Sequence, residues 1–325
     1  MAKRTIICVS SLIIIGFTLI VVVPIQLISI SLPPYGIIDK SLNFPYELSS
    51  PFPIEKLYIN ADEGNVEIRY IEPDINLDYY SMIEVNLMMI GVNIGGKSYE
   101  DYFNIQWDHS CSPANFTIKI ISDDWYKDSL WVKKELNIVV YLRKDIVFDI
   151  SVVVKEGNVD ISIPYMVSVK NLEINTIKGN ILFDLTHCIL QGNITGNSII
   201  GDFNIFVNNI LCTQNVTWNF TSQDGGLDIK IYQDIEMGAN ITSTIAIETL
   251  NLIYIDKLSN IGALFIFPLT VWDPQGKIVT DFNVFLPSGD EFYLISSDFP
   301  ARSNFNLIFS TRLIYYDLEI RNNII

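Results

Sequence analysis

The hydropathy pattern begins with a long apolar run that follows Met1-Ala2-Lys3-Arg4. Residues Ile6–Val23 include no charged side chain, and the run continues beyond Pro24 to Leu32. A helix that crosses the hydrocarbon layer of a bilayer needs about 20 such residues, so the pattern predicts a transmembrane anchor over residues 6–32. A cleaved signal peptide is the alternative, but its apolar region is usually about 7–15 residues long and ends at a small-residue cleavage site.

The basic residues predict the orientation of this anchor. Lys3 and Arg4 precede the run, and the next charged residue is Asp39. Because basic flanks stay on the cytoplasmic side of a membrane, residues 1–5 are predicted to form a short cytoplasmic tail. Residues 33–325 are then predicted to lie outside the cytoplasm.

Beyond the anchor the pattern changes to a short-period alternation. Residues 33–53 contain five prolines and show no period, which is typical of a spacer. From Ile54 onward, apolar and polar residues alternate in runs such as LYINADEGNVEIRYIEP and LWVKKELNIVVYLRK. A period of two predicts half-buried strands, so residues 54–325 are predicted to form an all-β domain.

A repeat is visible inside this domain. Each copy has an alternating run, a polar residue, a glycine, a small or amide residue and a second alternating run. The glycines are Gly157, Gly179, Gly201 and Gly225, which recur at a nearly constant interval, with an earlier copy at Gly64. Stacked units of this kind bury a continuous apolar face that no single unit can bury. The repeat predicts a β-solenoid-like ectodomain with a core at about residues 146–232, and an antiparallel β-sandwich remains the alternative.

The alternation also predicts which side chains enter the core. They are the apolar residues that follow each glycine, namely Val159, Ile161, Ile163, Ile181, Phe183, Leu185, Phe203, Ile205, Val207, Leu227, Ile229 and Ile231. A later apolar stretch, Ile261–Trp272, has only 12 residues and contains Pro268. It is too short to span a membrane and is predicted to be a core strand.

The charge balance limits the partners. The chain has 21 Lys and Arg against 37 Asp and Glu, a formal net charge of −16. Without Lys3 and Arg4, 19 basic residues face 37 acidic ones, which leaves −18 outside the predicted membrane segment. Such a surface repels nucleic acids and anionic lipid headgroups, so no nucleic-acid partner is expected.

Four aspartates recur near the glycine turns and are weak candidates for a metal site. They are Asp160, Asp184, Asp202 and Asp228. Stacked in one row, they would form a Ca²⁺ ladder, since Ca²⁺ takes several oxygen ligands, or a catalytic row, since glycosidases use carboxylates about 5–10 Å apart. The plainer interpretation is that outward positions of any half-buried strand are polar.

No enzyme signature accompanies these aspartates. The sequence lacks a phosphate-binding loop, a nucleophile elbow and an HExxH zinc helix. The two histidines, His109 in QWDHSCS and His187 beside Cys188, lack the paired spacing of a metal site and are predicted to lie in surface loops. The sequence therefore predicts no catalytic residue, no cofactor and no enzymatic activity, with Ca²⁺ as the one candidate ion.

The cysteines and the Asn-x-Ser/Thr sequons bear on modification. Cys8 lies in the predicted anchor, and Cys111, Cys188 and Cys212 lie beyond it. The interval from Cys188 to Cys212 is close to the repeat length, so a disulfide between stacked coils and a pair of buried thiols are both compatible with the sequence. Candidate glycosylation sites are Asn115, Asn193, Asn215, Asn219 and Asn240.

The order of these segments resembles the putative adhesin family, a β-solenoid-like domain of bacterial and archaeal surfaces that is related to the toast-rack domains of envelope-stress operons. The resemblance rests on LYINADEGNVEI, on ELNIVVYLRKDIVFDISVVVKEGNVDI and on units such as INTIKGNILF, over about residues 54–232. It implies an extracytoplasmic, repetitive and non-enzymatic domain, and it brings no catalytic residues with it.

These features predict a membrane-anchored, extracytoplasmic protein of the structural or adhesion type. Its acidic, repetitive β surface would face an envelope, glycan or protein partner. Two alternatives stay open: a domain that senses the state of the envelope or docks a membrane signalling partner, and a carbohydrate-active β-helix enzyme that uses the turn aspartates.

Overall fold

The computed structural model of the chain describes residues 35–47, 53–73, 79–92, 96–109, 113–121, 131–235, 239, 241–246, 249–256, 262–268, 278–280, 283–285, 291–295, 303–309 and 315–322. The tail and anchor predicted for residues 1–5 and 6–32 lie outside these ranges, as do Cys8, Cys111 and Asn240. Within the described ranges, no helix has the length and apolar character needed to cross a bilayer. The anchor and its orientation therefore remain predictions.

The described residues form strands and one short 3₁₀ helix, Tyr99–Asp101. The strands are β1 Tyr35–Tyr46, β2 Glu55–Glu63, β3 Asn65–Ile71, β4 Ser81–Val92, β5 Phe103–Asp108, β6 Ala114–Ile120, β7 Trp131–Arg143, β8 Phe148–Glu156, β9 Val159–Ile163, β10 Ser168–Lys178, β11 Ile181–Thr186, β12 Ile189–Leu190, β13 Ile194–Ile200, β14 Phe203–Asn208, β15 Leu211–Cys212, β16 Val216–Asp224, β17 Gly226–Gln233, β18 Ile241–Ala246, β19 Thr249–Asp256, β20 Gly262–Pro268, β21 Ile278–Thr280, β22 Asn283–Phe285, β23 Glu291–Ile295, β24 Ser303–Phe309 and β25 Tyr315–Asn322.

The strands belong to two sheets. Sheet A has the order β1-β4-β7-β3-β9-β11-β14-β17-β19-β25-β21, and sheet B has the order β22-β23-β20-β24-β18-β16-β13-β10-β8-β2-β6-β5, with β12 and β15 paired beside β10. A coil consists of one strand of sheet B followed by one strand of sheet A. Four successive coils, β8–β9, β10–β11, β13–β14 and β16–β17, stack in chain order, and their neighbouring strands pair in parallel.

This parallel pairing decides between the two predicted architectures. A sandwich of consecutive hairpins pairs its strands antiparallel, whereas each strand of these four coils pairs with the equivalent strand of the next coil. The β-solenoid prediction is confirmed for the all-β part of the chain, and the antiparallel sandwich is excluded.

The core lies between the two sheets and follows the predicted alternation. All twelve residues named for it are between 0% and 3% exposed. Burial of an Ile, Leu, Val or Phe side chain contributes about 1.5–3 kcal/mol, so each coil adds several such contributions to the stack. Phe265 of β20 is also buried, in agreement with the core strand predicted for that apolar stretch.

The first strand corrects the spacer predicted for residues 33–53. Residues Tyr35–Tyr46 form the edge strand of sheet A and pair antiparallel with β4 along their whole length. Ile38 and Tyr46 are buried, and Leu42 and Phe44 pack against the core. The prediction rested on the five prolines of residues 33–53, of which only Pro45 lies in this strand. An edge strand tolerates proline because one of its sides has no hydrogen-bonding neighbour.

The stack departs from chain order at its beginning. Coil β2–β3 lies between coil β6–β7 and coil β8–β9, and it pairs in parallel with both. The antiparallel strand β4 joins the stack beside β7, and β5 joins it beside β6. The copy of the repeat at Gly64 is therefore a direct neighbour of the copy at Gly157, although 93 residues separate Asn65 from Asn158 in the chain.

The stack also continues beyond the predicted repeat core. Strands β18 and β19 pair in parallel with β16 and β17, and β24 and β25 pair in parallel with β18 and β19. The segment between β19 and β24 contributes β20, β21, β22 and β23 to the sheet ends. The glycine repeat thus marks only the middle of a longer solenoid.

Candidate functional site

The repeat glycines form a column at one corner of the solenoid. A Cβ atom on Gly179 would lie 1.9 Å from the carbonyl oxygen of Gly157, and one on Gly157 would lie 2.0 Å from that of Gly64. Gly157 and Gly179 also have φ values of +148° and +154°, which L side chains rarely adopt. Glycine is therefore required here both by backbone conformation and by the close approach of successive coils.

A ladder of amide side chains follows the glycine column. The Oδ1 atom of Asn158 accepts a hydrogen bond from the backbone N–H of Asn180 at 2.9 Å, and Asn180 Oδ1 accepts one from the N–H of Asp202 at the same distance. Asp202 Oδ1 in turn accepts from the N–H of Gly226 at 2.8 Å. Each side chain thus satisfies a backbone N–H at the corner of the next coil, where its sheet A strand begins, and this fixes the register of the stack.

The four candidate aspartates do not form a row. Asp160 pairs with Leu182 rather than with Asp184, and Asp184 pairs with Ser162 and Phe206. Asp160 and Asp228 share one row, but Leu182 and Asn204 stand between them. The predicted Asp ladder is corrected on this point, since the aspartates occupy different positions relative to their glycines.

The individual partners of these aspartates also differ. Asp228 accepts hydrogen bonds from Lys230 at 2.9 Å and from Asn251 at 3.1 Å, and Asp184 accepts one from Thr186 at 2.7 Å. Among the residues that the structure describes, no three Asp, Glu, His or Cys side chains are grouped so that they could hold a metal ion.

One acidic group lies across β3, β9 and β11 on the outer face of sheet A. Glu67 and Asp160 occupy directly paired positions, and Asp184 lies diagonally from Asp160. Partial burial against the sheet, followed by the negative charges of Glu67 and Asp184, raises the pKa of Asp160, and Arg69 partly offsets this. Arg69 itself pairs with Glu67 at 2.7 Å.

Two adjoining depressions lie farther along the same face. The first has a volume of about 330 Å³, and its lining includes Asp202, Gly226 and Thr249. The second, of about 220 Å³, lies between Leu182, Phe206 and Lys230. Because Asn204 and Asp228 line both, the two form one open channel across β11, β14, β17 and β19, which we call the Asn204 groove.

The polar groups of the Asn204 groove are unequally occupied. The carboxylates of Asp202 and Asp228 already accept hydrogen bonds from neighbouring coils. The exposed amide of Asn204 makes no side-chain hydrogen bond to any described residue, so its donor and acceptor are both free for a ligand. The ring of Phe206 packs against that of Tyr232, with 5.8 Å between the centroids.

The sequence prediction missed the residues that build this groove. Asn204, Phe206, Lys230, Thr249 and Asn251 were not singled out, although alternation places the first three on the outward side of their strands. The signal that could have found them was row position rather than residue type. Asn204 and Asn251 share one row with Asp228, and Phe206 pairs with Lys230 in the next outward row.

Cys188 and Cys212 are buried free thiols in the structure. Equivalent positions of neighbouring coils, such as Asn171 and Asn193, are 22 residues apart in this part of the stack. Cys212 accordingly pairs with Leu190, and the backbone oxygen of Cys188 accepts a hydrogen bond from Leu211. The two cysteines are therefore offset by two positions instead of facing each other. Burial raises the pKa of each thiol to about 12.

The remaining candidates occupy loops and strand surfaces. His109 is exposed beside Trp107, with 5.6 Å between ring centroids, and His187 lies in a turn with a φ of +50°. Neither is part of a group that could hold a metal within the described part of the chain. Both positions agree with the loops and turns predicted for the histidines.

The sequon asparagines differ in how far their side chains are already engaged. Asn193 belongs to a second amide ladder, because its Oδ1 atom accepts from the N–H of Thr217 at 2.9 Å. The amide of Asn115 donates to the carbonyl of Pro113 at 3.2 Å. Asn215 is exposed, and Asn219 is half-buried on β16. Glycosylation at these positions stays a prediction.

Comparison with known proteins gives a similarity in structure but none in sequence family. No protein-family model matches the chain, and no curated protein matches it. Among solved structures, it is similar to a crystal structure of a putative cell adhesion protein from Clostridium sporogenes, with 12% sequence identity, a TM-score of 0.37, and coverage of 88% of this chain and 100% of that chain. A similarity at this level carries no conclusion on function, and the resemblance to the putative adhesin family stays a prediction.

Proposed function

We propose that the chain is a non-catalytic, adhesion-type surface module, held to a membrane by residues 6–32 and exposed outside the cytoplasm. The observation that carries the proposal is the construction of sheet A. The glycine column and the amide ladder hold its strands in a fixed register, so its outer face presents an ordered array of mainly polar side chains on strands about 4.8 Å apart.

Two of the carboxylates on this face are better suited to a binding surface than to catalysis. Asp202 and Asp228 each accept hydrogen bonds within the stack, which hold their side chains in place. A binding surface benefits from such preorganisation, because little side-chain freedom is lost when the ligand arrives. The acidic net charge fits an exposed surface and disfavours nucleic acids and anionic lipids.

Two experiments test the proposal. Protease added to intact cells is expected to remove the domain after residue 33, whereas an intact domain beside other cleaved surface proteins would contradict the location. The purified full chain, applied to immobilised envelope polysaccharides and envelope proteins, is expected to be retained without release of reducing ends or peptides. Turnover of the bound material would contradict a non-catalytic role.

One observation favours a second candidate, a carbohydrate-active enzyme. Glu67, Asp160 and Asp184 lie on adjacent strands, at about 5 Å for directly paired positions and about 7–8 Å for diagonal ones. Glycosidases use carboxylate pairs about 5–9.5 Å apart, one of them with a raised pKa. Release of reducing ends that is lost in Asp160→Asn but kept in the exposed control Asp224→Asn would support this candidate.

A further inference from the structure

We infer that the Asn204 groove binds a neutral oligosaccharide. The inference rests on the proposed binding function and adds the class of ligand and the place where it binds. It is carried by four properties of the groove: its floor, its free hydrogen-bonding groups, its apolar side and its charge.

The floor of the groove exists because the amide ladder stops at Gly226. Asn65, Asn158, Asn180 and Asp202 occupy the equivalent position in the preceding coils, and each carries a side chain there. Gly226 carries none, and it lines the depression together with Asp202 and Thr249, whose Oγ1 atom would lie 2.3 Å from a Cβ atom on Gly226. The resulting depression of about 330 Å³ lies at the low end of small-molecule sites, which span roughly 300–1,000 Å³, and fits a short stretch of a sugar chain.

The free polar groups suit hydroxyl ligands. The amide of Asn204 can donate and accept at the same time, which matches two neighbouring hydroxyls of a sugar ring. The Thr249 hydroxyl and the Asn251 side chain lie on the other side of Gly226, and Asn251 uses one amide hydrogen for its bond to Asp228 at 3.1 Å. Its carbonyl oxygen remains to accept from a hydroxyl.

An apolar side completes the second depression. Phe206 and Leu182 are 36% and 38% exposed, so both present apolar surface to the solvent. Tyr232 packs against the ring of Phe206 and holds it in place. The C–H face of a pyranose ring packs on such an aromatic surface, whereas the apolar area is far smaller than the core of a standard protein interface.

The charges select against acidic sugars. Asp184, Asp202 and Asp228 line the groove, and Lys230 supplies the one positive charge among its described lining residues. The Lys230 ammonium pairs with Asp228 at 2.9 Å and is therefore not free to bind a carboxylate of the ligand. A uronic acid would approach uncompensated negative charge, so the expected ligand is uncharged.

Calorimetric titration of the full chain, kept in a detergent without a sugar headgroup, tests this inference. The probes are cellotriose, maltotriose and triacetylchitotriose, with trigalacturonate as the acidic comparison. At least one neutral trisaccharide is expected to bind, and trigalacturonate at least tenfold more weakly. Binding of the neutral probe should hardly change between about 50 and 500 mM salt, because no charge is neutralised.

Three variants locate the site. Asn204→Ala is expected to weaken binding about fivefold to tenfold, since it removes up to two hydrogen bonds that contribute about 0.5–1.5 kcal/mol each. Gly226→Ala fills the floor, and the nearest neighbour of its Cβ would be the movable Oγ1 of Thr249, at 2.3 Å. Phe206→Ala removes the apolar side. The matched control is Asn60→Ala on the outer face of sheet B, which should leave both binding and melting temperature unchanged.

The outcomes separate the site from the general function. Neutral sugar binding that survives Asn204→Ala and Gly226→Ala, with unchanged melting, overturns the groove and leaves the surface-binding function standing. Retention on envelope protein without binding of any neutral trisaccharide overturns the ligand class alone. A chain that is retained on no envelope polysaccharide or protein, and that binds none of the probes, overturns both proposals.

Discussion

The strands of the four regular coils, residues 148–233, pair differently from those of the N-terminal end of the stack, residues 35–143. In the regular coils every strand pairs in parallel with the equivalent strand of the next coil, and the register is constant except for one irregularity between Val169 and Asn171 of β10. At the N-terminal end, β4 pairs antiparallel with both β1 and β7 over long spans. In the chain, coil β2–β3 lies between β1 and β4.

Side-chain contacts that are not part of any sequence repeat pack the N-terminal end of the stack. The hydroxyl of Tyr46 donates to the buried carboxyl group of Glu55 at 3.0 Å, and the indole N–H of Trp107 donates to the carbonyl of Pro45 at 2.9 Å. The rings of Tyr46 and Trp107 meet edge to face, with centroids 6.0 Å apart. The middle of this solenoid therefore follows from a repeated sequence pattern, whereas its N-terminal end depends on individual contacts between residues that are distant in the chain.

The largest expected effect comes from breaking the glycine column. Gly179→Ala places a Cβ atom 1.9 Å from the carbonyl of Gly157 and imposes a side chain on a φ of +154°. Both the clash and the strain require a shift between coils, so we expect a loss of about 3–5 kcal/mol of unfolding free energy. Urea unfolding followed by circular dichroism measures it.

Gly96 at the N-terminal end provides the matched control. It also has a positive φ, of +65°, but a Cβ atom there would meet nothing within 4 Å. Gly96→Ala should therefore lower the unfolding free energy only by the strain of a side chain at positive φ, about 1–2 kcal/mol. Equal losses for Gly96→Ala and Gly179→Ala would show that close stacking does not set the glycine requirement.

The same comparison explains how much of the fold could be predicted from the sequence. The inward residues of the regular coils follow from period-two alternation, because an adjacent coil covers each of them in the same way. Strand β1 could not be predicted, since its proline content suggested a spacer and its partner β4 is found only in three dimensions. The adjacency of Gly64 and Gly157 was hidden for the same reason, as the insertion of β4 to β7 separates them in the chain.

The candidate site could be predicted only in part. Asp160, Asp184, Asp202 and Asp228 lie three, five, one and three positions after their glycines, so simple counting from the glycine already separates them. The same counting places Asn158, Asn180 and Asp202 in one row, one position after each glycine. The Asn204 groove was out of reach, because its depth depends on the missing side chain at Gly226 and on neighbours from three other strands.

The second prediction concerns the thiols inside the regular stack. Burial raises the pKa of Cys188 and Cys212 to about 12, far above the value of about 8.5 for an unfolded cysteine. The thiolate is the reactive form, so at pH 8 the native protein should alkylate at least a hundredfold more slowly at these two positions than the unfolded protein, a difference of roughly 2.7 kcal/mol.

Peptide mapping after timed iodoacetamide treatment distinguishes these two thiols from Cys8 and Cys111. Rapid labelling of the folded protein at either position would contradict the burial of the stack interior. A Cys188–Cys212 disulfide in the unreduced protein would contradict the two-position offset between the coils.

The third prediction removes one step of the amide ladder. Asn180→Ala deprives the backbone N–H of Asp202 of its acceptor at 2.9 Å, and we expect a loss of about 1 kcal/mol in unfolding free energy. Asn180→Asp keeps an acceptor at the same place and should recover most of this loss. The measurement is again urea unfolding.

Asn137 supplies the counterpart at the N-terminal end. Its Oδ1 atom accepts only an exposed side-chain hydrogen bond from Asn65, at 3.2 Å, so Asn137→Ala should cost less than about 0.5 kcal/mol. If Asn137→Ala is as costly as Asn180→Ala, the ladder to the backbone is no more important than an ordinary surface hydrogen bond.

The smallest effect is expected where the two regions meet, between β3 and β9. Partial burial and the charges of Glu67 and Asp184 raise the pKa of Asp160. A carboxyl group whose pKa is higher in the folded state contributes fully below its unfolded value, about 3.9, and that contribution is lost as the pH rises through the folded pKa. Asp160→Asn should therefore stabilise the protein at pH 7, by up to about 0.5 kcal/mol after allowance for solvent screening, and should have no effect near pH 3.

The control Asp224→Asn, at an exposed position, should change the unfolding free energy neither at pH 7 nor near pH 3. A loss of stability in Asp160→Asn at pH 7 would instead mean that attraction to Arg69 outweighs the repulsion, and that the junction is held together by charge.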